Sequence, residues 1–317
     1  MRLRTVPTGW RLLILCLGYF AFMFFGHLAD HLILFPTTAP LDASGAVRRT
    51  IAFENGDLEI WTAQSRRAQQ QGRADLFILR FYGNADRADR WAAMEAEMWN
   101  DRAVEIWGMN YPGFGGSTGP ARLARIGPAA LAAFDALKGH AAMSKNAVAS
   151  AVPSGSSPNP ALGTSLRSAP ARQPAHTTAP IVLFGTSIGV TAALHVAASR
   201  PNEIAGLILH NPPPLREVIL RQFGWWNLWL LAGPVASQIP RDLDCVANAK
   251  AIQTPAIFLL AERDEIVAPR FHRLVVEAYA GEKRIIELRA AHHNDPIDGT
   301  ALADLNDALD WMLGRAR

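Results

Sequence analysis

The chain has 317 residues, half of them hydrophobic and 19% charged, with 31 Lys and Arg against 28 Asp and Glu for a formal charge of +3. That length supports one large domain or two smaller ones, and 14 Phe, 9 Trp and 4 Tyr can fill a substantial core. The composition excludes a wholly disordered chain, and basic residues scattered among acids exclude a dedicated nucleic-acid binder, which would carry a basic stripe.

The first feature in chain order is apolar. Leu12 to Gly26 carries no charge, and apolar character resumes at Leu32-Ile33-Leu34-Phe35 beyond Asp30-His31. Leu12 to Phe35 spans 24 residues, where a membrane-crossing helix needs roughly 20. Residues 1–36 are therefore expected to form an N-terminal transmembrane helix. Arg2, Arg4 and Arg11 favour a cytoplasmic N-terminus with the remaining chain on the opposite side, a bias that Arg48 and Arg49 weaken. The alternatives are a buried core helix and a cleaved signal peptide, for which Gly26-His27-Leu28-Ala29 is a poor cleavage site. With Cys16 inside the anchor and only Cys245 elsewhere, no disulfide is expected.

Residues 47–317 read as one domain. Val47 to Phe53 and Leu58 to Gln64 are strand-like runs joined across Asn55-Gly56, a dipeptide suited to a tight hairpin. Strand and helix signals then alternate: Leu76 to Phe81, Asp86 to Met98, Val104 to Met109 and Pro120 to Lys138. The alternation resumes with Ile181 to Phe184, Ile188 to Ser199, Ile204 to His210, Ala256 to Leu260, Pro269 to Ala280, Arg284 to Leu288 and Thr300 to Leu313. This pattern predicts an α/β fold, a mostly parallel eight-stranded sheet with helices on both faces and ligands at the carboxyl ends of the strands. Between the two halves, residues 141–179 are rich in Ala, Ser and Pro and lack aromatics, so they are expected to form a disordered insertion within the domain.

Gly-x-Ser-x-Gly occurs twice, at Ser117 and Ser187. A nucleophile elbow needs an apolar strand running into the serine and a helix leaving it. Ile181-Val182-Leu183-Phe184 and Ile188 to Ser199 supply both for Ser187, whereas Ser117 follows the Gly-rich run Tyr111-Pro112-Gly113-Phe114-Gly115-Gly116 and is soon followed by Pro120. A serine hydroxyl needs a histidine base, itself oriented by a carboxylate, and in this kind of fold the chain order is serine, acid, histidine. Asp264 lies just past the strand Ala256 to Leu260, and the pair His292-His293 just past Arg284 to Leu288. Three signals in the required order on successive strand ends favour a catalytic set over a capping acid and a polar loop. Spacing does not choose between the two histidines.

Tyr82-Gly83-Asn84-Ala85, Asn110 to Ser117, the Ser187 elbow, Asp264-Glu265-Ile266-Val267 and His293-Asn294-Asp295 together resemble the α/β-hydrolase superfamily. Within it they are similar to the single-spanning, membrane-anchored serine hydrolase branch that includes protein depalmitoylating thioesterases. The resemblance covers Val47 to the C-terminus apart from the insertion. It implies His293 as the triad base, a Gly-rich loop at Ser117, and oxyanion donors in the backbone N–H groups of Ile188 and Asn84. The family usually carries histidine where this chain has Tyr82.

Residues 212–240 read as a cap segment: Pro212-Pro213-Pro214 is followed by Trp225, Trp226, Leu228, Trp229, Leu230 and Leu231. Tyr82, Trp225 and Trp229 are the candidate substrate contacts, the alternatives being packing under the loop for Tyr82 and a well-packed cap helix for the tryptophans. The expected function is hydrolysis of carboxylic esters or thioesters of a small-molecule or lipid-like acyl substrate through acyl-Ser187. A serine peptidase of the same fold and a catalytically inactive membrane scaffold are the alternatives. No metal or organic cofactor is implied, and the oligomeric state stays open.

Overall fold

The computed structural model describes residues 7–25, 27–43, 45–150, 179–227 and 229–315. The chain opens with helices α1 (Thr8–Phe25) and α2 (Leu28–Ile33), then the strands β1 (Val47–Phe53) and β2 (Gly56–Gln64) and the short helix α3 (Arg66–Gln71). Next come β3 (Leu76–Phe81), α4 (Ala88–Glu97), β4 (Val104–Met109) and α5 (Leu123–Ser150). After residue 178 follow β5 (Ile181–Thr186), α6 (Ile188–Ser199) and β6 (Gly206–His210). The cap holds α7 (Leu215–Val218), a π-helical turn (Ile219–Phe223), a 3-10 turn (Trp225–Asn227) and α8 (Ala232–Ser237). The chain closes with α9 (Cys245–Ala251), β7 (Ala256–Ala261), α10 (Pro269–Ala278), β8 (Lys283–Leu288) and α11 (Gly299–Arg315).

The eight strands form one sheet in the order β1-β2-β4-β3-β5-β6-β7-β8. The two pairings of β2 are antiparallel and all others parallel. The sequence explains the layout. The central strands are apolar at nearly every position because both faces are covered, while β1 and β8 at the edges carry exposed Arg and Glu. Alternation along β3 sends Phe77, Leu79 and Phe81 into a core with α5, α6 and α9. Ile78 goes to the other face, with Ala92 and Ala96 of α4 and Leu305, Leu309 and Met312 of α11.

The hairpin forms with the expected strands, but its left-handed residue is Glu54, at φ 53°, and not Asn55 or Gly56. Gly56 is needed for space: a Cβ there would run into the Thr118 side chain, whose Oγ1 accepts from the Asp57 N–H at 2.8 Å. Helix α5 runs to Ser150, so the first ten residues of the expected insertion (141–150) are helical. Residues 151–178 lie outside the described residues.

The expected membrane anchor is corrected. Among the described residues no helix is long and apolar enough to cross a membrane. His27 takes a left-handed conformation (φ 49°), so the apolar run is divided between α1 and α2. Its second part belongs to the domain: Ala29 and Leu34 are buried in the core. Gln238 Oε1 accepts from the Ala29 N–H, and Asp30 caps the first turn of α5 at the Leu123 N–H (2.8 Å). Hydropathy alone does not separate a membrane span from apolar residues that fill a core, and here the polar Asp30 and His27 mark the turn. The single-pass topology, with its opposed N-terminus and domain, falls with the anchor.

Candidate active site

The parallel strands bring their carboxyl ends to one rim, and the site is built there from the turns after β3, β5, β6, β7 and β8. At the end of β5 the chain turns sharply into α6, and Ser187 at the corner has φ 52° and ψ −124°. This is strained backbone for a residue with a Cβ, and it lifts the side chain clear of the sheet. The flanking glycines permit the turn. A Cβ on Gly185 would lie 2.6 Å from the Gly189 carbonyl oxygen, and one on Gly189 would collide with the backbone of Phe81. The Ser187 N–H donates to the His210 carbonyl at 2.8 Å, fixing the corner to β6.

Ser187 Oγ lies 3.0 Å from His293 Nε2, and His293 Nδ1 lies 2.6 Å from Asp264 Oδ2. Three residues distant in sequence are thus brought into one hydrogen-bonded line. Asp264 and His293 are buried, and Ser187 is half-buried. The other carboxylate oxygen of Asp264 accepts the N–H groups of Ile266 (2.9 Å) and Val267 (2.7 Å) in the turn leading to α10. Burial would raise the Asp264 carboxyl, but hydrogen bonds from His272, His293 and the Val267 N–H outweigh it and hold the group well below the usual carboxylate range. His292 is exposed, with Nδ1 3.0 Å from Glu265 Oε2, so the structure separates the two adjacent histidines that spacing left open.

The loop after β3 passes beside the serine: a Cβ on Gly83 would lie 3.7 Å from Ser187 Cβ. The Asn84 side chain faces the N-terminal segment, accepting from the Phe35 N–H at 3.0 Å and donating to the Ile33 carbonyl. It clamps that segment to the rim. Tyr82, expected at the substrate, is buried beneath the loop with its hydroxyl donating to Glu95 Oε2 at 3.0 Å, so its side chain packs and does not reach the site surface. Burial, followed by the Glu95 charge, pushes the phenol well above its usual value. Trp225 and Trp229 are 69% and 52% exposed on the cap, so they do not form the packed helix weighed as the alternative. Trp229 is pinned through Nε1 to the Leu220 carbonyl at 2.9 Å. Leu228 lies outside the described residues.

Several supports escaped the sequence. Arg80 sits in a strand that reads as continuously apolar. It pairs with Glu95 (2.9 Å), donates to Thr186 Oγ1 (2.9 Å) beside Ser187, and stacks on Phe184 and Tyr82. Asn211, buried and left-handed (φ 51°), accepts from the Ala261 N–H at 2.9 Å and donates to the His293 carbonyl at 3.0 Å, joining three strand ends. An Asn directly before a Pro run was the available signal.

Ser117 has a different job. No strand enters it, and it is buried, donating through Oγ to the Asn110 carbonyl and accepting from the Glu59 N–H, both at 2.8 Å. Glu59 in turn accepts from Gly116 N–H and Asn110 Nδ2, both at 2.7 Å. Ser117→Ala leaves two buried backbone groups unpaired. It is expected to lower unfolding free energy by about 1 to 3 kcal/mol in urea titration while kcat is unchanged.

No protein-family model matches the chain. Two curated relatives, Uncharacterized protein Rv2307c and Uncharacterized protein MT2364 of Mycobacterium tuberculosis, are each 27% identical over 127 residues, covering 39% of this chain and 42% of theirs. The match thus spans less than half the length of those relatives. Solved structures cover far more of the chain. Esterase Pf2001 of Pyrococcus furiosus is 14% identical, covering 89% of this chain and 98% of that one, with a TM-score of 0.56. Est1E from Butyrivibrio proteoclasticus is 15% identical over 86% and 98%, with a TM-score of 0.55. The alpha-beta hydrolase from Vibrio vulnificus is 16% identical over 86% and 81%, with a TM-score of 0.52. At such identities the likeness is one of architecture: the chain has the α/β-hydrolase fold.

Proposed function

We propose that this protein is a serine hydrolase that cleaves carboxylic esters or thioesters through an acyl-Ser187 intermediate. The observation that carries the reading is the line Ser187 Oγ, His293 Nε2, His293 Nδ1, Asp264 Oδ2, with spacings of 3.0 and 2.6 Å on a serine in a strained turn. In this reading His293 Nε2 takes the hydroxyl proton as Oγ attacks the carbonyl carbon, and Asp264 holds the tautomer with its proton on Nδ1. The backbone N–H groups of Ile188 and Asn84 receive the oxyanion, each contributing about 3 kcal/mol to the transition state. His293 then protonates the leaving alcohol or thiol, and the same groups run in reverse with water to release the acid. The esterases among the fold neighbours support an ester substrate, and the resemblance to depalmitoylating thioesterases supports a thioester one.

The exposed Trp225, Trp226, Trp229 and Leu230 form an apolar surface on the cap that suits an acyl chain. Turnover of a matched panel of oxygen esters, thioesters and peptide amides tests the reaction class. Esters or thioesters should be cleaved and amides left intact; amide cleavage alone would favour the peptidase. Trp225→Ala and Trp229→Ala should each reduce kcat/KM for long acyl chains by about tenfold and less for short ones. Equal losses across chain lengths would remove the cap from substrate binding.

A further inference from the structure

His272, on α10, is fully buried and belongs to no motif in the sequence. Its Nε2 lies 3.0 Å from Asp264 Oδ2, the oxygen that also receives His293 Nδ1, and its Nδ1 lies 3.1 Å from the Pro212 carbonyl oxygen. Neither partner has a proton to offer. Pro212 presents a carbonyl, and Asp264 is an ionised carboxylate that already accepts two backbone N–H groups. A neutral imidazole carries one N–H, so either tautomer would turn a ring lone pair toward an oxygen lone pair at a fully buried position; the imidazolium donates to both.

We propose that His272 is a positioning residue that donates from both ring nitrogens as an imidazolium, shares Asp264 with His293, ties it to the loop after β6, and compensates the charge against which His293 works. The catalytic consequence rests on the serine hydrolase reading; the protonation state does not. With His272 cationic, Asp264 and His272 form a neutral pair, so His293 exchanges its proton beside a compensated carboxylate. The remaining groups around the cluster do not supply that charge. His210, at the end of β6, is pushed down to about 3 by burial and then by the Arg80 charge, so it stays neutral. Arg270, Arg273 and Glu277 on α10, Lys250 on α9, and Glu265 are exposed. On α7, Arg216 is bonded to the Ile239 carbonyl and Glu217 is half-buried.

Nitrogen-15 NMR of the histidine-labelled intact protein, with His272 assigned through its backbone connectivities, reads the charge directly. Both ring nitrogens of His272 should carry protons in the folded protein at about pH 7, as donors to the Pro212 carbonyl and Asp264 Oδ2. An unprotonated nitrogen overturns the proposal whether or not the protein hydrolyses anything. The second readout is the acid limb of kcat/KM for a short-chain ester in His272→Gln and His272→Phe. Removing a cation next to Asp264 should move the midpoint of that limb up by about one pH unit. A lower kcat with an unmoved midpoint would reduce His272 to packing and overturn its positioning role. Absence of turnover in the wild-type protein would instead strike the hydrolase reading, with the NMR result still deciding the charge.

Discussion

Ser187→Ala is expected to lower kcat for an activated ester by about 10⁵-fold or more, with the fold and the melting temperature preserved. The hydroxyl at this corner is aligned with His293: Oγ lies 3.0 Å from Nε2, and the imidazole is buried and held from behind by Asp264. On the proposed mechanism, removing Oγ leaves the base without a nucleophile to activate, and what remains is binding and oxyanion stabilisation. Stability should change little, and in a favourable direction if at all, because Ala carries no hydroxyl to desolvate; the positive φ persists. Stopped-flow measurement of the acyl-enzyme burst is the check: the burst should vanish along with turnover. A variant that keeps a burst would mean that another residue is acylated.

Asp264→Asn is expected to reduce kcat by about 10⁴-fold and also to destabilise the fold. Asp264 accepts from four donors: the Ile266 and Val267 N–H groups on one oxygen, His272 and His293 on the other. A carboxamide has one accepting oxygen. If that oxygen keeps the backbone pair, its NH₂ faces both histidines, and His293 must present an unprotonated Nδ1, which is the wrong tautomer for a base at Nε2. The stability effect has a definite sign with pH. The folded-state carboxyl lies below its unfolded value, so Asp264 contributes stability that is fully present above about pH 4 and is lost as pH falls through the folded value. The wild-type advantage in melting temperature over Asp264→Asn should therefore be large at neutral pH and shrink steadily on acidification below pH 4. A gap that stayed constant would mean that Asp264 is not ionised in the folded protein.

Much of this site is legible in the sequence because its information is local. The strand Ile181 to Phe184, the small residues about Ser187 and the helix after it fall within twenty residues, and each has its own physical reason to be there. Asp264 and His293 are legible at one remove, since alternation places the ends of consecutive parallel strands on one rim. His272 is not: on α10 it falls on the same buried side as Phe271, Val275 and Val276, where any residue reads as core, and only the fold brings it to Asp264. Arg80 is masked in the same way by an apolar strand. Tyr82 and Asn84 share one loop in the sequence, but side-chain direction depends on partners outside that loop, Glu95 for one and Ile33 and Phe35 for the other. The N-terminal run misled because apolarity records that residues leave water without recording what receives them. In this protein, α2 is received by the cap and α5.

The central claim is that Ser187 is the acylated nucleophile. Reaction of the intact protein with a fluorophosphonate, followed by peptide mass mapping, tests it most directly. The account predicts one adduct, on the peptide containing Ser187, lost in Ser187→Ala and retained in Ser117→Ala. An adduct on Ser117, or labelling that survives in Ser187→Ala, would contradict it.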